Sequence, residues 1–394
     1  MSIEIFHQLG FRSQWNFQSF IDDNVGNGFI LAPSHMEKTE VENLDSNLKR
    51  NSIFDPQFFI PSVQKRKLAT YDFFPDIVAN GFQTSEYSDG FSQECAERCI
   101  IFQKENGFEK LIIPTRYISG MPSSFIQQQQ QLFVLPFVDA IARLGKDRPV
   151  LLQIVLNDGM IKDQEFSADL LNWITGIPAI DGVYLIADIN PRTKQLRDID
   201  FLYSYLRFIQ ALSLNDLYIL LGYQNTEAAL LTLASPSAVS IGSYENLRMF
   251  NIRNFEEDDN GAKRGPNARI YVSRLFQWID TNYIGAITRV FGDTQLFDDN
   301  HYKAQMFEPS YHWHFSKPEL YKHYFLVFSE QIRSISNYNG IDRYHFLRQL
   351  IEQGMAEFAS IRDRGVILDQ DSDGSHLPAW LTAANLFAQD QGWR

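Results

Sequence analysis

Eight short, β-branched apolar runs recur along the chain, and most are followed by a helical pattern. They are GFILAPSH (28–35), NSIFDPQF (51–58), EKLIIPTRY (109–117), PVLLQIVLND (149–158), DGVYLIAD (181–188), DLYILLGY (216–223), AVSIGSYE (238–245) and IGAITRVF (284–291). Continuous apolar runs of this length suit strands covered on both faces, as in a parallel sheet. Between them lie amphipathic stretches such as SSFIQQQQQLFVLPFVDAIARLG, DQEFSADLLNWITGIP and LRDIDFLYSYLRFIQALSL. The five glutamines at 127–131 sit inside the first of these and read as a solvated helix face.

Eight strands alternating with helices predict a (β/α)8 TIM-like barrel, a fold of about 250 residues. A doubly wound open sheet is the alternative, but it usually carries a Gly-rich turn after its first strand. Neither GxGxxG nor GxxxxGK[ST] occurs. The expected organisation of the 394 residues is a lead-in at 1–27, a barrel at 28–291 and a helical appendage at 292–394 packed on it. Insertions at 59–92 and 246–283 interrupt the barrel, and IYVSRLFQWID in the second is expected to be helical.

A formal charge of -13 argues against a surface coated for phosphate, while leaving room for a local basic groove. No apolar stretch approaches the roughly 18 to 20 residues of a membrane span, and the first residues lack the plan of a signal peptide. The expectation is a cytoplasmic protein without a membrane partner. Cys95 and Cys99 lie four apart and are expected to be buried on one helix face.

Two motifs scan as metal sites. In DQDSDGSHLPAW, Asp369, Asp371, Asp373 and Gly374 match the start of a calcium loop, but the position of the bidentate Glu holds Trp380. The better reading is an acidic turn ahead of a helix with Pro378 in its first turn. His312 and His314 form a His-x-His without further ligands, and two histidines do not complete a site. No metal and no cofactor are expected.

Barrel chemistry sits at the C-terminal strand ends. In order these are His35, Asp55, Arg116 with Tyr117, Asn157 with Asp158, Asp188, Tyr223 with Gln224, and Tyr244 with Glu245. Asp158 and Asp188 end consecutive runs and are the candidate catalytic pair, since two carboxylates are the equipment for cleaving glycosidic bonds. His35, Arg116, Tyr117, Asn157, Tyr223, Gln224, Tyr244 and Glu245 are candidate substrate ligands. Arg248, Arg253 and Arg274 follow the run at 238–245, where barrels often bind phosphate.

The expected function is metal-independent action at a glycosyl or N-glycosyl bond of a phosphate-bearing small molecule or nucleic acid. The alternative is a non-catalytic barrel that binds a protein or nucleic acid, with the helical appendage as the docking surface for a protein partner.

Overall fold

The computed structural model describes residues 2–59, 62–63, 67–74, 82–83, 89–189, 194–255, 265–292 and 295–394. Eight parallel strands form its centre. They are β1 (Glu4–Gln8), β2 (Gly28–Leu31), β3 (Ser52–Phe54), β4 (Leu111–Ile113), β5 (Val150–Asn157), β6 (Gly182–Asp188), β7 (Tyr218–Leu221) and β8 (Ala238–Gly242). Their spatial order is β3-β2-β1-β8-β7-β6-β5-β4. The two end strands meet through a parallel bridge between Ile53 and Lys110, beside which the Glu109 N–H donates to the Ser52 carbonyl at 2.8 Å. The sheet is therefore a nearly closed (β/α)8 barrel.

Seven of the expected runs contain strands, and two expectations are corrected. The first strand lies at Glu4–Gln8, inside the expected lead-in, where it pairs with both β8 and β2. Its polar residues disguise it. Outward-facing His7 is buried between strand and helices, with Nε2 2.9 Å from the Val25 carbonyl and Nδ1 3.2 Å from the Asn16 amide. The run at 284–291 is instead a helix, Ile284–Phe291. Asp280 caps the turn before it by accepting from the Asn282 N–H, and Gly292 ends it at a φ of 74°. These end signals override the β-branched composition.

The second insertion also differs from its expected helix. Residues 269–280 fold as an antiparallel hairpin, β9 (Arg269–Val272) with β10 (Gln277–Asp280). Its residues are buried on both faces because it lies between barrel and C-terminal helices. Tyr271 and Trp278 pack on Tyr324, and Phe276 packs on Trp380. Among the described residues, the stretch after β3 contributes helix Asp89–Glu105, whose Cys95 and Cys99 are buried as expected.

The C-terminal segment divides in two. Helix Pro318–Ser336 packs on helix Gln14–Asp22, and its Phe325 meets His7 of β1 edge-on at 5.0 Å. It thus fills the barrel wall beside β1. Helices Gly340–Asp363 and Leu377–Asp390 pack on each other, and the second covers helix Ile199–Ser213.

The pleat sends alternate side chains into the barrel. At the N-terminal end, Lys110 lies over the Phe6 and Tyr218 rings, and the Tyr218 hydroxyl donates to Glu4. Toward the other end Tyr184 crosses the axis and its hydroxyl donates to Gln8 Oε1 at 3.3 Å. That crossing needs Gly222, because a Cβ there would stand 2.4 Å from Tyr184 Cε2. We expect Gly222→Ala to destabilise the fold by about 1–3 kcal/mol through overpacking, read from urea melts. Wild-type stability in that variant would mean that the ring is free to move.

Candidate functional site

The C-terminal mouth of the barrel is closed over its axis. Residues 249–255, after β8, cross toward β6, where the Asp188 carboxylate accepts from the Ile252 backbone N–H and, at 2.7 Å, from the Tyr117 hydroxyl. This seats Phe250 and Phe255 against Phe59 and Tyr223, with ring centroids 5.1 Å apart for Phe59–Phe250 and 5.3 Å for Tyr223–Phe250. Tyr223 and Gln57 both adopt left-handed backbone, with φ of 54° and 57°, and Gln57 Nε2 donates to the Tyr223 hydroxyl at 3.3 Å. Side chains with a Cβ resist that conformation, and such strain gathers where function or packing imposes it.

Beneath this aromatic plug lies a polar layer of Gln8, Asp55, Gln153, Tyr184 and Ser240, all fully buried. Asp55 Oδ1 accepts from the Gln57 N–H at 2.9 Å, and the Tyr184 hydroxyl lies beside the same carboxyl. Burial pushes the Asp55 carboxyl up to about 7.

A pocket opens beside the axis, between the ends of β6, β7 and β8. Leu196, Tyr205, Gln224, Asn225, Glu227 and Arg248 help to line it, and Met249 and Phe250 form its roof. It holds about 420 Å3 of atom-free space, mouth included, yet its fully free room is about 20 Å3, little more than a water molecule requires. The walls are close together.

Glu227 and Arg248 are among the ionisable groups that line this space. Glu227 Oε1 accepts from the Asn225 N–H at 2.9 Å, and burial pushes its carboxyl up to about 7 despite the opposing influence of Arg248. Arg248 is buried with its guanidinium carbon 4.0 Å from the Trp278 ring centre, and Nη1 donates to the Ser243 carbonyl at 2.6 Å. Burial holds this guanidinium below its ordinary pKa. Its placement starts with Gly242, where a Cβ would stand 2.5 Å from Leu247 Cβ. The bare strand end lets the short helix Glu245–Arg248 fold back onto β8 and aim Arg248 inward.

Several polar atoms lining the pocket are buried without a hydrogen-bond partner, among them Asn225 Oδ1 and Arg248 Nε. The Asn225 amide is oriented without ambiguity. Its Nδ2 donates to the Lys194 carbonyl at 3.1 Å, so Oδ1 is the atom left over. Gln224 is fixed in the same way by its 2.8 Å bond to the Gly222 carbonyl. Gln224 Oε1 and the Tyr205 hydroxyl also lack geometric partners, but the Gln224 amide lies close enough to influence that hydroxyl, so the two can serve each other.

The residues expected from the sequence fall into three groups. Tyr223, Gln224 and Arg248 line the pocket. Glu245 stands at its edge, holding pocket residue Lys194 at 2.6 Å.

The mouth holds others. Asp188 and Tyr117 anchor the crossing loop, exposed Arg253 lies near enough to influence Asp188, and burial raises the Asp188 carboxyl above its ordinary pKa. Arg116 is half-buried and pinned through its backbone to Gln129, one of the five glutamines expected to be solvated. That expectation is corrected, since Gln129 is buried and Gln130 accepts from the Trp173 indole.

The remainder serve local structure. Asn157 caps the helix that follows β5, and Asp158 begins that helix, exposed and paired with Lys162 at 3.0 Å. Tyr244 packs on Trp15 and Tyr321. The His35 carbonyl takes a hydrogen bond from Lys67. Arg274 lies at the hairpin turn, 3.9 Å from Glu357, so the three candidate phosphate arginines do not share one surface. Two further cations of the insertion at 246–283, Lys263 and Arg264, and its acidic run 256–259 lie outside the described residues.

The acidic turn at 369–373 engages cations of the protein itself. Arg197 binds Asp373 at 3.2 Å, and Arg269 lies 3.7 Å from Asp369 and 3.9 Å from Asp371. His312 and His314 are exposed, and His314 Nδ1 lies 2.6 Å from Ser316 Oγ. Among the described residues no cluster of three or more His, Cys, Asp or Glu side chains is arranged to hold a metal, and no helix is long and apolar enough to cross a membrane.

No family model and no curated protein matches the sequence. Among solved structures the chain is similar to dihydrodipicolinate synthase from Oceanobacillus iheyensis, at 9% identity over 99% of this chain and 96% of that one, with a TM-score of 0.34. The barrel assignment rests on the strand pairing described above.

Asp55 and Glu227 set a pH dependence. Each holds its proton more tightly folded than unfolded, up to about 7 against ordinary values of 3.8 and 4.5. Stability from these groups is therefore full below the unfolded values and is lost as pH rises to about 7. The loss is at most about 4 kcal/mol for Asp55 and about 3 kcal/mol for Glu227. We expect chemical melts to show stability falling across this window, with a smaller slope in Glu227→Gln and in Asp55→Asn. An unchanged slope in both would place their titration at ordinary values.

Proposed function

We propose that the protein is a barrel enzyme that binds a small anionic molecule in the pocket beside the barrel axis and moves a proton through Glu227. The observation that carries this is one pocket, at the catalytic end of the fold, holding both a buried carboxyl near neutrality and a buried guanidinium. A carboxyl with a pKa near 7 divides its time between acid and base at physiological pH, as proton transfer requires. Arg248 cannot shed its charge, so an anion drawn to it is favoured in a low-dielectric site.

The expected two-aspartate mechanism has less support. Asp188 retains a raised carboxyl, but its oxygens hold Tyr117 and the crossing loop, while Asp158 is directed to Lys162. Nothing in the pocket singles out a glycosyl bond; its residues select for the charge of the substrate and supply the proton carrier. The alternative of a non-catalytic binding module draws on the aromatic plug over the axis. It also draws on Ile367 of the C-terminal region, 83% exposed in a cleft shared with Met355 and Phe358.

Calorimetric titration with small carboxylates and inorganic phosphate tests the choice. Wild-type affinity for an anion should weaken above pH 7, where ionised Glu227 repels it, by at most about tenfold per pH unit. Glu227→Gln should bind without that dependence, and Arg248→Met should bind no anion while remaining folded. Unchanged affinity in Arg248→Met would sink this reading and favour the binding module.

A further inference from the structure

Building on the proposed anion pocket, we infer that its ligand is a compact 2-hydroxy acid, with the carboxylate on Arg248 and the hydroxyl donating to Asn225 Oδ1. Three features of the lining select this class. The first is size. About 420 Å3 of space with the mouth included, of which about 20 Å3 is fully free, leaves room for at most a molecule of a few carbons, whereas a nucleotide would force the walls apart.

The second is an oriented acceptor. Asn225 Oδ1 is buried without a partner, and its amide cannot flip because Nδ2 is committed to the Lys194 carbonyl. Desolvating such an oxygen is costly unless an O–H or N–H reaches it, so a ligand with a donor close to its anionic group is favoured over one without. Arg248 Nε is the complementary buried donor for the carboxylate.

The third is charge. Arg248 and Lys194 bring two cations to the lining, and Lys194 is paired with Glu245 at 2.6 Å. Glu227, with its carboxyl near neutrality, provides only part of a compensating charge. An ammonium donor would meet both cations, as in a 2-amino acid. A hydroxyl delivers the same hydrogen bond without that repulsion. Glu227 then lies beside the acid as a proton carrier that tolerates the anion while protonated.

Matched ligands provide the test. Lactate against propionate and malate against succinate differ only in the hydroxyl, and alanine replaces it by an ammonium. At pH 6 on the full-length protein we expect each hydroxy acid to bind about tenfold tighter than its deoxy partner, the worth of one buried hydrogen bond. Alanine should bind more weakly than lactate. Asn225→Ala should lower lactate affinity to the propionate level and leave propionate unchanged. The comparison of ligands on the wild-type protein stands even if that variant fails to fold. Equal binding of the members of both pairs would overturn this inference and leave the anion pocket intact. Loss of all acid binding, with inorganic phosphate also unbound, would overturn both.

Discussion

A guanidinium removed from water must find partners, and the fold around Arg248 supplies several while leaving Nε open. The Trp278 ring covers one face at 4.0 Å, and the carbonyl of Ser243 takes Nη1 at 2.6 Å. A stacked cation of this kind is worth about 2 kcal/mol when desolvated, well short of the cost of isolating the charge. The hairpin that carries Trp278 is therefore bound to the barrel by charge burial as well as by apolar contact. Through Tyr324 and Trp380 it extends this hold to the C-terminal helices.

The barrel interior has a matching division. Its N-terminal end is sealed by Lys110 lying over the Phe6 and Tyr218 rings. Its C-terminal end buries amides, a carboxyl and hydroxyls, then closes over them with Phe59, Phe250 and Phe255. A protonated Asp55 suits that enclosure, since a neutral carboxyl costs far less to bury than a carboxylate. The accessible space lies off axis, in the pocket that Glu227 and Arg248 both line.

The sequence made the strand ends readable but not their environments. Asp158 and Asp188 both follow apolar runs and look alike on paper. In the fold, one begins a helix in solvent and the other is two hydrogen bonds deep in a loop anchor. Glu227 escaped notice because it lies within an amphipathic pattern, TEAALLTLAS, where an acid passes for a solvated position. Its signal was the polar run Gln224-Asn225-Thr226-Glu227 directly after Tyr223, ahead of a helix otherwise wholly apolar. A carboxylate at the start of such a helix is normally read as complementing its dipole. Only packing reveals that it faces a buried cation.

The sequence by itself determined the barrel, because buried parallel strands require continuous apolar runs and seven of the eight announced themselves that way. It also determined Arg248, Tyr223 and Gln224 as mouth residues, since the C-terminal strand ends are fixed by chain direction. The tertiary structure alone decided that β1 lies at Glu4–Gln8, where burial of His7 depends on Asn16 and Val25 brought in from the next turn of the barrel. It alone decided that IYVSRLFQWID is a hairpin, since two-sided burial between barrel and appendage erases the alternation that marks a strand. And it alone decided the protonation of Glu227 and Asp55, because a pKa is set by water excluded and charges gathered, neither of which is written in local sequence.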